Sequence, residues 1–163
     1  MVTVDFGGWY VDRYRSVVAS CVAMCGDVDV ARDAADEAFS RAFDRWSTVS
    51  VMASPEGWVC TVAMNCLRRS LRWRTRERVW FQGQREPIVT AGLPNPDLWA
   101  AVRALPTRQR TAIVLRYVTD LPEAEIAVVM GIARGTVAAT LATARARLSS
   151  RLAEVLIPED DRA

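Results

Sequence analysis

The stretch Leu121–Leu156, LPEAEIAVVMGIARGTVAATLATARARLSSRLAEVL, carries two helical patterns joined by a short break at Gly131-Ile132-Ala133. The first, from Pro122 to Met130, opens with a proline suited to the first helical position, where no amide hydrogen is needed. Glu123 and Glu125 follow in the turn where the helix dipole favours acids. The second spaces Val137, Leu141, Ala144, Leu148, Leu152 and Leu156 by threes and fours, which makes a single buried stripe. Two short helices around a tight Gly-containing turn are the pattern of a helix-turn-helix, whose second helix enters the major groove of DNA. An ordinary hairpin in a helical bundle would read the same way, so the choice rests on the rest of the chain.

Working outward, Ile113, Val114, Tyr117 and Val118 mark the core side of a preceding helix. Before it come a break at Leu105-Pro106 and a helix from about Asp97 to Ala104. From Gln82 to Pro96 periodicity collapses among Gly83, Pro87, Gly92, Pro94 and Pro96, which reads as an extended linker. N-terminal to it, Tyr10, Val11, Tyr14, Val17, Val18, Cys21, Val22 and Cys25 give a first helix that stops at Gly26, with Asp27 or Asp29 capping the next. The second helix is expected to reach about Trp46, with Val30, Ala34, Ala38, Phe39, Ala42, Phe43 and Trp46 on its apolar face. Thr48 to Ala53 reads as an ordered loop. Ser54-Pro55-Glu56 is a strong start signal for a third helix to about Arg78, buried through Trp58, Val59, Val62, Met64 and Cys66. No segment alternates as a strand does. The expected fold is all-α, two small helical domains (1–81 and 97–157) joined by a linker at 82–96, with a polar tail at 158–163.

The net charge of +2 is too small to imply nucleic acid by itself, so any basic signal must be local. It is: seven arginines (Arg68, Arg69, Arg72, Arg74, Arg76, Arg78, Arg85) face only Glu77 between positions 68 and 85. Arginines on several faces of a helix end make a phosphate-tracking surface, although a solvated helix terminus can also collect cations. Conversely, Asp27, Asp29, Asp33, Asp36 and Glu37 form an acidic run broken only by Arg32. The chain has no histidine, which removes the usual general base and the commonest metal ligand. Cys21, Cys25, Cys60 and Cys66 form no Cys-x-x-Cys pair and read as buried free thiols rather than a zinc site. With no phosphate-binding glycine loop and no paired carboxylates facing a pocket, an enzyme is disfavoured: no catalytic residue, metal or cofactor is expected, and no small-molecule substrate. The N-terminus has no signal-peptide pattern and no run is long enough for a membrane helix, so a soluble cytoplasmic protein is expected.

Four motifs in order resemble the bacterial extracytoplasmic-function sigma factors, over residues from about 10 to 155. Asp33-Ala-Ala-Asp36-Glu37-Ala-Phe39 resembles that family's D-x-x-Q-E-x-F, and Pro55-Glu-Gly-Trp58-Val-Cys-Thr-Val62-Ala63-Met-Asn65 resembles P-x-x-W-L-x-x-I-A-x-N. Leu105-Pro106-Thr-Arg-Gln-Arg110 with Leu115-Arg116-Tyr117 is similar to L-P-x-x-x-R followed by L-R-Y. Leu121 to Gly131 with Gly135-Thr136-Val137 is similar to the terminal E-I-A-x-x-x-G and G-T-V. Each motif is weak alone; the ordered set is specific.

The resemblance implies a promoter-specificity subunit whose partners are RNA polymerase core and promoter DNA, with room for an anti-sigma protein. Asp33, Asp36 and Glu37, with Phe39 behind them, would dock on core polymerase. The loop Ser47–Ala53 and the third helix would hold the opened downstream element through Asn65, Arg68, Arg69, Arg72, Trp73 and Arg76. The helix-turn-helix would read the upstream element through Arg134, Thr136, Ala139, Thr140, Thr143 and Arg147. Two departures stand out. Asp36 occupies a position where glutamine is usual. The recognition helix carries Ala138, Ala139, Thr140, Ala142 and Thr143 where basic and polar residues are usual, and cations return only at Arg145, Arg147 and Arg151. The competing functions are a sigma-like interaction module that binds polymerase but reads DNA weakly, and a free-standing helix-turn-helix regulator.

Overall fold

The computed structural model describes residues 5–80 and 95–156, with side chains for 5–70 and 95–153. The chain divides into two units, Met1–Val89 and Thr90–Ala163. The expected linker, apart from Asn95 and Pro96, and the expected tail lie outside the described residues. Among the described residues every regular element is a helix, and no single helix is long and apolar enough to cross a membrane.

In the first unit, α1 (Phe6–Cys25) starts where the Asp5 carboxylate accepts from the Gly8 amide at 3.0 Å. It ends at Gly26, whose φ of 73° is a left-handed conformation that glycine adopts without strain. Asp27 then caps α2 (Val28–Asp44) by accepting from the Val30 amide at 3.0 Å. Helix α2 lies between α1 and α4 (Pro55–Trp80), so it buries two flanks instead of one. Its sequence suits that position: Ala31, Ala34, Ala35, Ala38 and Ala42 are all buried, and small side chains let two partner helices approach closely. Val17, Cys21 and Ala23 from α1 and Val59, Cys60, Ala63, Met64 and Leu67 from α4 complete the core. Ser54 starts α4 by accepting from the Gly57 amide at 3.0 Å.

Three expectations about this first unit need correction. Helix α2 stops at Asp44, and Trp46 begins a separate one-turn helix, α3 (Trp46–Val49), inside what read as the end of a helix and a loop. The break at Arg45 swings the Trp46 ring back onto Phe6 and Trp9, at centroid distances of 5.2 and 4.8 Å. Phe43 is 62% exposed because it stands beside the first turn of α1, where little but the Phe6 ring remains to cover it. Val11 is also exposed despite its helical spacing, on the outer flank of α1.

The described part of the second unit begins with Asn95 at φ 62°, its side-chain oxygen accepting from the Leu98 amide at the start of α5 (Pro96–Arg103). Helix α6 (Thr107–Tyr117) follows after Leu105, which is buried. Arg110 latches this corner: its guanidinium donates to the carbonyls of Arg103 and Leu105, supplying partners for acceptors left over at the end of α5. Burial, reinforced by Arg103, pulls the Arg110 pKa below its ordinary value. Then come α7 (Glu123–Met130) and α8 (Arg134–Leu156), with Gly131 left-handed at φ 64° in the turn. Pro122 occupies the cap before α7, one place earlier than expected, with φ −68° and an extended ψ of 155°. Leu115, Ile126, Val137, Leu141 and Ala144 form the core, while Leu148 and Leu152 are half-buried as the stripe runs past its partners. Tyr117, expected in this core, is 58% exposed and puts its hydroxyl 3.3 Å from an Arg145 guanidinium nitrogen instead.

Candidate nucleic-acid and polymerase interfaces

On α2 the acidic positions stand outward above an aromatic layer. Asp33 and Asp36 are exposed and Glu37 is half-buried. Tyr14, reaching from α1, donates its hydroxyl to Asp36 Oδ1 at 2.7 Å, and Arg41 pairs with Glu37 at 2.6 Å one turn along. Burial first, then the bond to Asp36, pushes the Tyr14 pKa up to about 12. The acidic face is therefore partly spoken for, and Asp33 presents the least encumbered of its carboxylates. Phe39 stands behind these carboxylates, as read from the sequence, and so does not itself reach the surface: only 3% of it is exposed. Its ring packs under Trp9, Tyr10 and Tyr14 at centroid distances of 5.4, 5.1 and 5.7 Å, so it supports the acidic face from below. The part of Tyr14 could have been anticipated, because a tyrosine on a core-facing stripe needs a partner for its hydroxyl.

Asn65, Arg68 and Arg69 lie exposed along α4. Arg68 Nη1 donates to Asn65 Oδ1 at 3.1 Å. A guanidinium can only donate, so the amide oxygen must face it, and the Asn65 NH2 is the group left for a base edge. The helix backbone continues through Arg72, Trp73 and Arg76, but their side chains lie outside the described residues. At the end of α3, Val49 is buried and anchors the connection to α4, while Val51 and Met52 beyond it stand exposed, an apolar tip that patterning alone did not flag. At the base of the unit Arg13 pairs with Glu56 at 3.3 Å, tying α1 to the start of α4.

In the second unit, α7 and α8 form the expected helix-turn-helix, and α8 presents Gly135, Thr136, Ala138, Ala139, Ala142 and Thr143 to solvent, with Thr140 half-buried. Thr140 and Thr143 donate their hydroxyls back to the carbonyls of Thr136 and Ala139, at 2.7 and 2.9 Å. Arg134 stands in the first turn of α8 and pairs with Glu123 at 3.7 Å. Arg147 donates to Gln109 Oε1 on α6 at 3.3 Å. Thr143 and Arg147 also border an open groove of about 620 Å³ between α8 and the Ala104–Pro106 corner.

The cysteines are free thiols; Cys21, Cys60 and Cys66 are buried and Cys25 partly so. Burial, with the other three thiols nearby, raises the Cys21 pKa well above its ordinary value, which leaves it unreactive. Among the described residues no group of three or more His, Cys, Asp or Glu side chains could hold a metal ion.

Residues 97–148 match the family model of sigma-70, region 4. The chain is 28% identical over 155 residues to the ECF RNA polymerase sigma factor EcfG of Rhodopseudomonas palustris, covering 89% of this chain and 86% of that protein. It is 27% identical over 155 residues to the RNA polymerase sigma-E factor of Streptomyces coelicolor, covering 91% and 86%. Among solved structures, its fold is similar to that of the sigma factor RpoE, crystallised with the anti-sigma factor NepR from Bartonella quintana. That match has a TM-score of 0.76 at 23% identity and covers 91% of this chain and 96% of that one. CnrH in complex with the cytosolic domain of CnrY matches with a TM-score of 0.65 at 20% identity, over 91% and 88%.

Proposed function

We infer that the chain is an extracytoplasmic-function RNA polymerase sigma factor: it joins core polymerase and directs it to a set of promoters. The observation that carries this reading is the likeness to curated sigma factors, which runs through both units, 28% identity across 89% of the chain, rather than through the helix-turn-helix alone. A free-standing regulator would have no use for an acidic α2 surface beside an arginine-rich α4. On this reading the chain performs no covalent chemistry of its own and works in the cytoplasm with polymerase. RpoE, its structural neighbour, is bound to an anti-sigma factor, and a protein of that kind is the further partner proposed here.

The division of labour follows from the two surfaces. Asp33, with Asp36 and Glu37 beside it, is proposed to dock on core polymerase, where charge serves steering and register more than raw affinity. Asn65 is proposed to meet an exposed base of the downstream element through its NH2, with Arg68, Arg69, Arg72 and Arg76 along the backbone and Trp73 for stacking. Thr136, Ala139, Thr140 and Thr143 face the upstream element, with Arg134 and Arg147 toward phosphates. The test is transcription with purified core polymerase and the full chain, followed by mapping of start sites. Promoter-dependent transcripts are expected, and a chain that fails to associate with core ends the proposal.

A further inference from the structure

We propose that the upstream element is read through thymine methyl groups, by an apolar face on the first half of α8. This rests on the sigma-factor reading above and says what kind of sequence the helix-turn-helix selects. Along that face stand Thr136, Ala138, Ala139, Ala142 and Thr143, all exposed, with Gly135 at its start. The exposed face thus offers methyl groups and almost nothing that can donate. The Thr140 and Thr143 hydroxyl protons are already committed to carbonyls one turn back, at 2.7 and 2.9 Å. Using them on a base would break those bonds.

In the major groove, guanine shows two acceptors at N7 and O6, and arginine is the side chain that usually meets them. Here the nearby arginines are held off the face. Arg134 is paired with Glu123, Arg145 reaches Tyr117 on α6, and Arg147 reaches Gln109 on the same helix. At 100° per residue, Arg145 and Arg147 fall on opposite shoulders of α8, with the methyl-bearing positions between them. Shoulder positions suit phosphates on the two groove walls. A guanine pressed against the face between them would lose water from N7 and O6 and find at most the Thr136 hydroxyl in exchange. A thymine places its C5 methyl there and gains apolar contact. The arrangement therefore selects thymine on one strand or the other at the positions spanned by α8.

The experiment offers two duplex libraries, randomised across the upstream element, to holoenzyme assembled from core polymerase and the full chain. One library is built with thymidine, the other with deoxyuridine, which lacks only the C5 methyl. Thymine enrichment at two or more positions is expected with the first library and its loss with the second. Binding should weaken by about fourfold for each methyl removed, the equivalent of roughly one buried methylene. Thr136→Val, which keeps the methyl, should retain affinity for the selected thymidine duplex; Thr136→Ser, which removes it, should lose about as much as one thymidine-to-deoxyuridine exchange. The same consensus and affinity from both libraries would overturn the proposal, and so would loss on Thr136→Val with none on Thr136→Ser. A chain that forms no complex with core sinks the parent reading instead, which a binding assay without promoter separates from a failure of methyl readout.

Discussion

On α2 the charged side chains stand outward over an aromatic floor, whereas on the first half of α8 small apolar side chains stand outward and the arginines are drawn to the shoulders. Both helices bury an apolar stripe, so the difference is made entirely at their solvent faces. Charge on display acts at a distance and is screened by salt. A methyl surface acts only in contact. Core docking should therefore weaken as salt rises, while the base-reading part of upstream recognition should respond little to salt and strongly to shape.

The largest effect that can break this comparison is loss of one surface altogether. Ile126, on α7, is fully buried in the core of the helix-turn-helix unit. Ile126→Ala should cost about 2–5 kcal/mol in denaturant unfolding, through lost contacts and the cavity left behind. Promoter recognition should go with it, while affinity for core persists; loss of both together would show that the two surfaces are not separable. Next in size, Asp33→Arg should weaken core binding by about tenfold or more, since it places like charges together, and leave the order of preference among upstream duplexes unchanged. If core affinity barely moves, α2 is not the docking surface.

A change of the opposite sign is expected at Gly135. A Cβ built there meets nothing within 4 Å, and its backbone is helical. Gly135→Ala should stabilise the chain by about 0.5–1 kcal/mol through helix propensity. A simultaneous drop in promoter affinity would mark Gly135 as a point of close approach to DNA; unchanged affinity would place the groove contact further along α8.

The smallest and sharpest effect belongs to Tyr14. Its folded pKa, about 12, lies above the ordinary value near 10, because burial and the Asp36 carboxylate both oppose a phenolate. A raised pKa means that its contribution to stability is complete below pH 10 and is lost as pH rises through 10 toward 12. In an ultraviolet titration of the folded chain, a tyrosine transition near pH 12 should vanish in Tyr14→Phe. The same variant should tighten core binding slightly by freeing Asp36; no change in either would reduce the bond to a surface contact.

Much of this was legible beforehand, and the reasons are local. Gly26, Asp27, Ser54-Pro55 and Gly131 punctuate the helices through their own backbones and nearest amides, so each stop and start could be read from neighbouring residues. The stripe Val137-Leu141-Ala144 needs only a period of 3.6 and a partner. The order of the motifs from Asp33 to Val137 is likewise a property of the sequence. What periodicity could not decide is where a partner helix ends. Phe43, Val11 and Tyr117 all sit at helical spacing and are exposed, because burial at the margin of a stripe depends on what stands opposite.

The same holds for the candidate interfaces. Chemistry-bearing residue types and their order along the chain are properties of the sequence, and they were enough to nominate α2, α4 and α8. Availability is a property of the pairings, and those come from other helices. Tyr14 holds Asp36 from 22 positions away, Gln109 holds Arg147 from 38, and three rings from α1 close over Phe39. Hydrogen bonds and ring contacts at such separations exist only once the helices have packed. Tertiary structure alone therefore decided which nominated side chains still face outward.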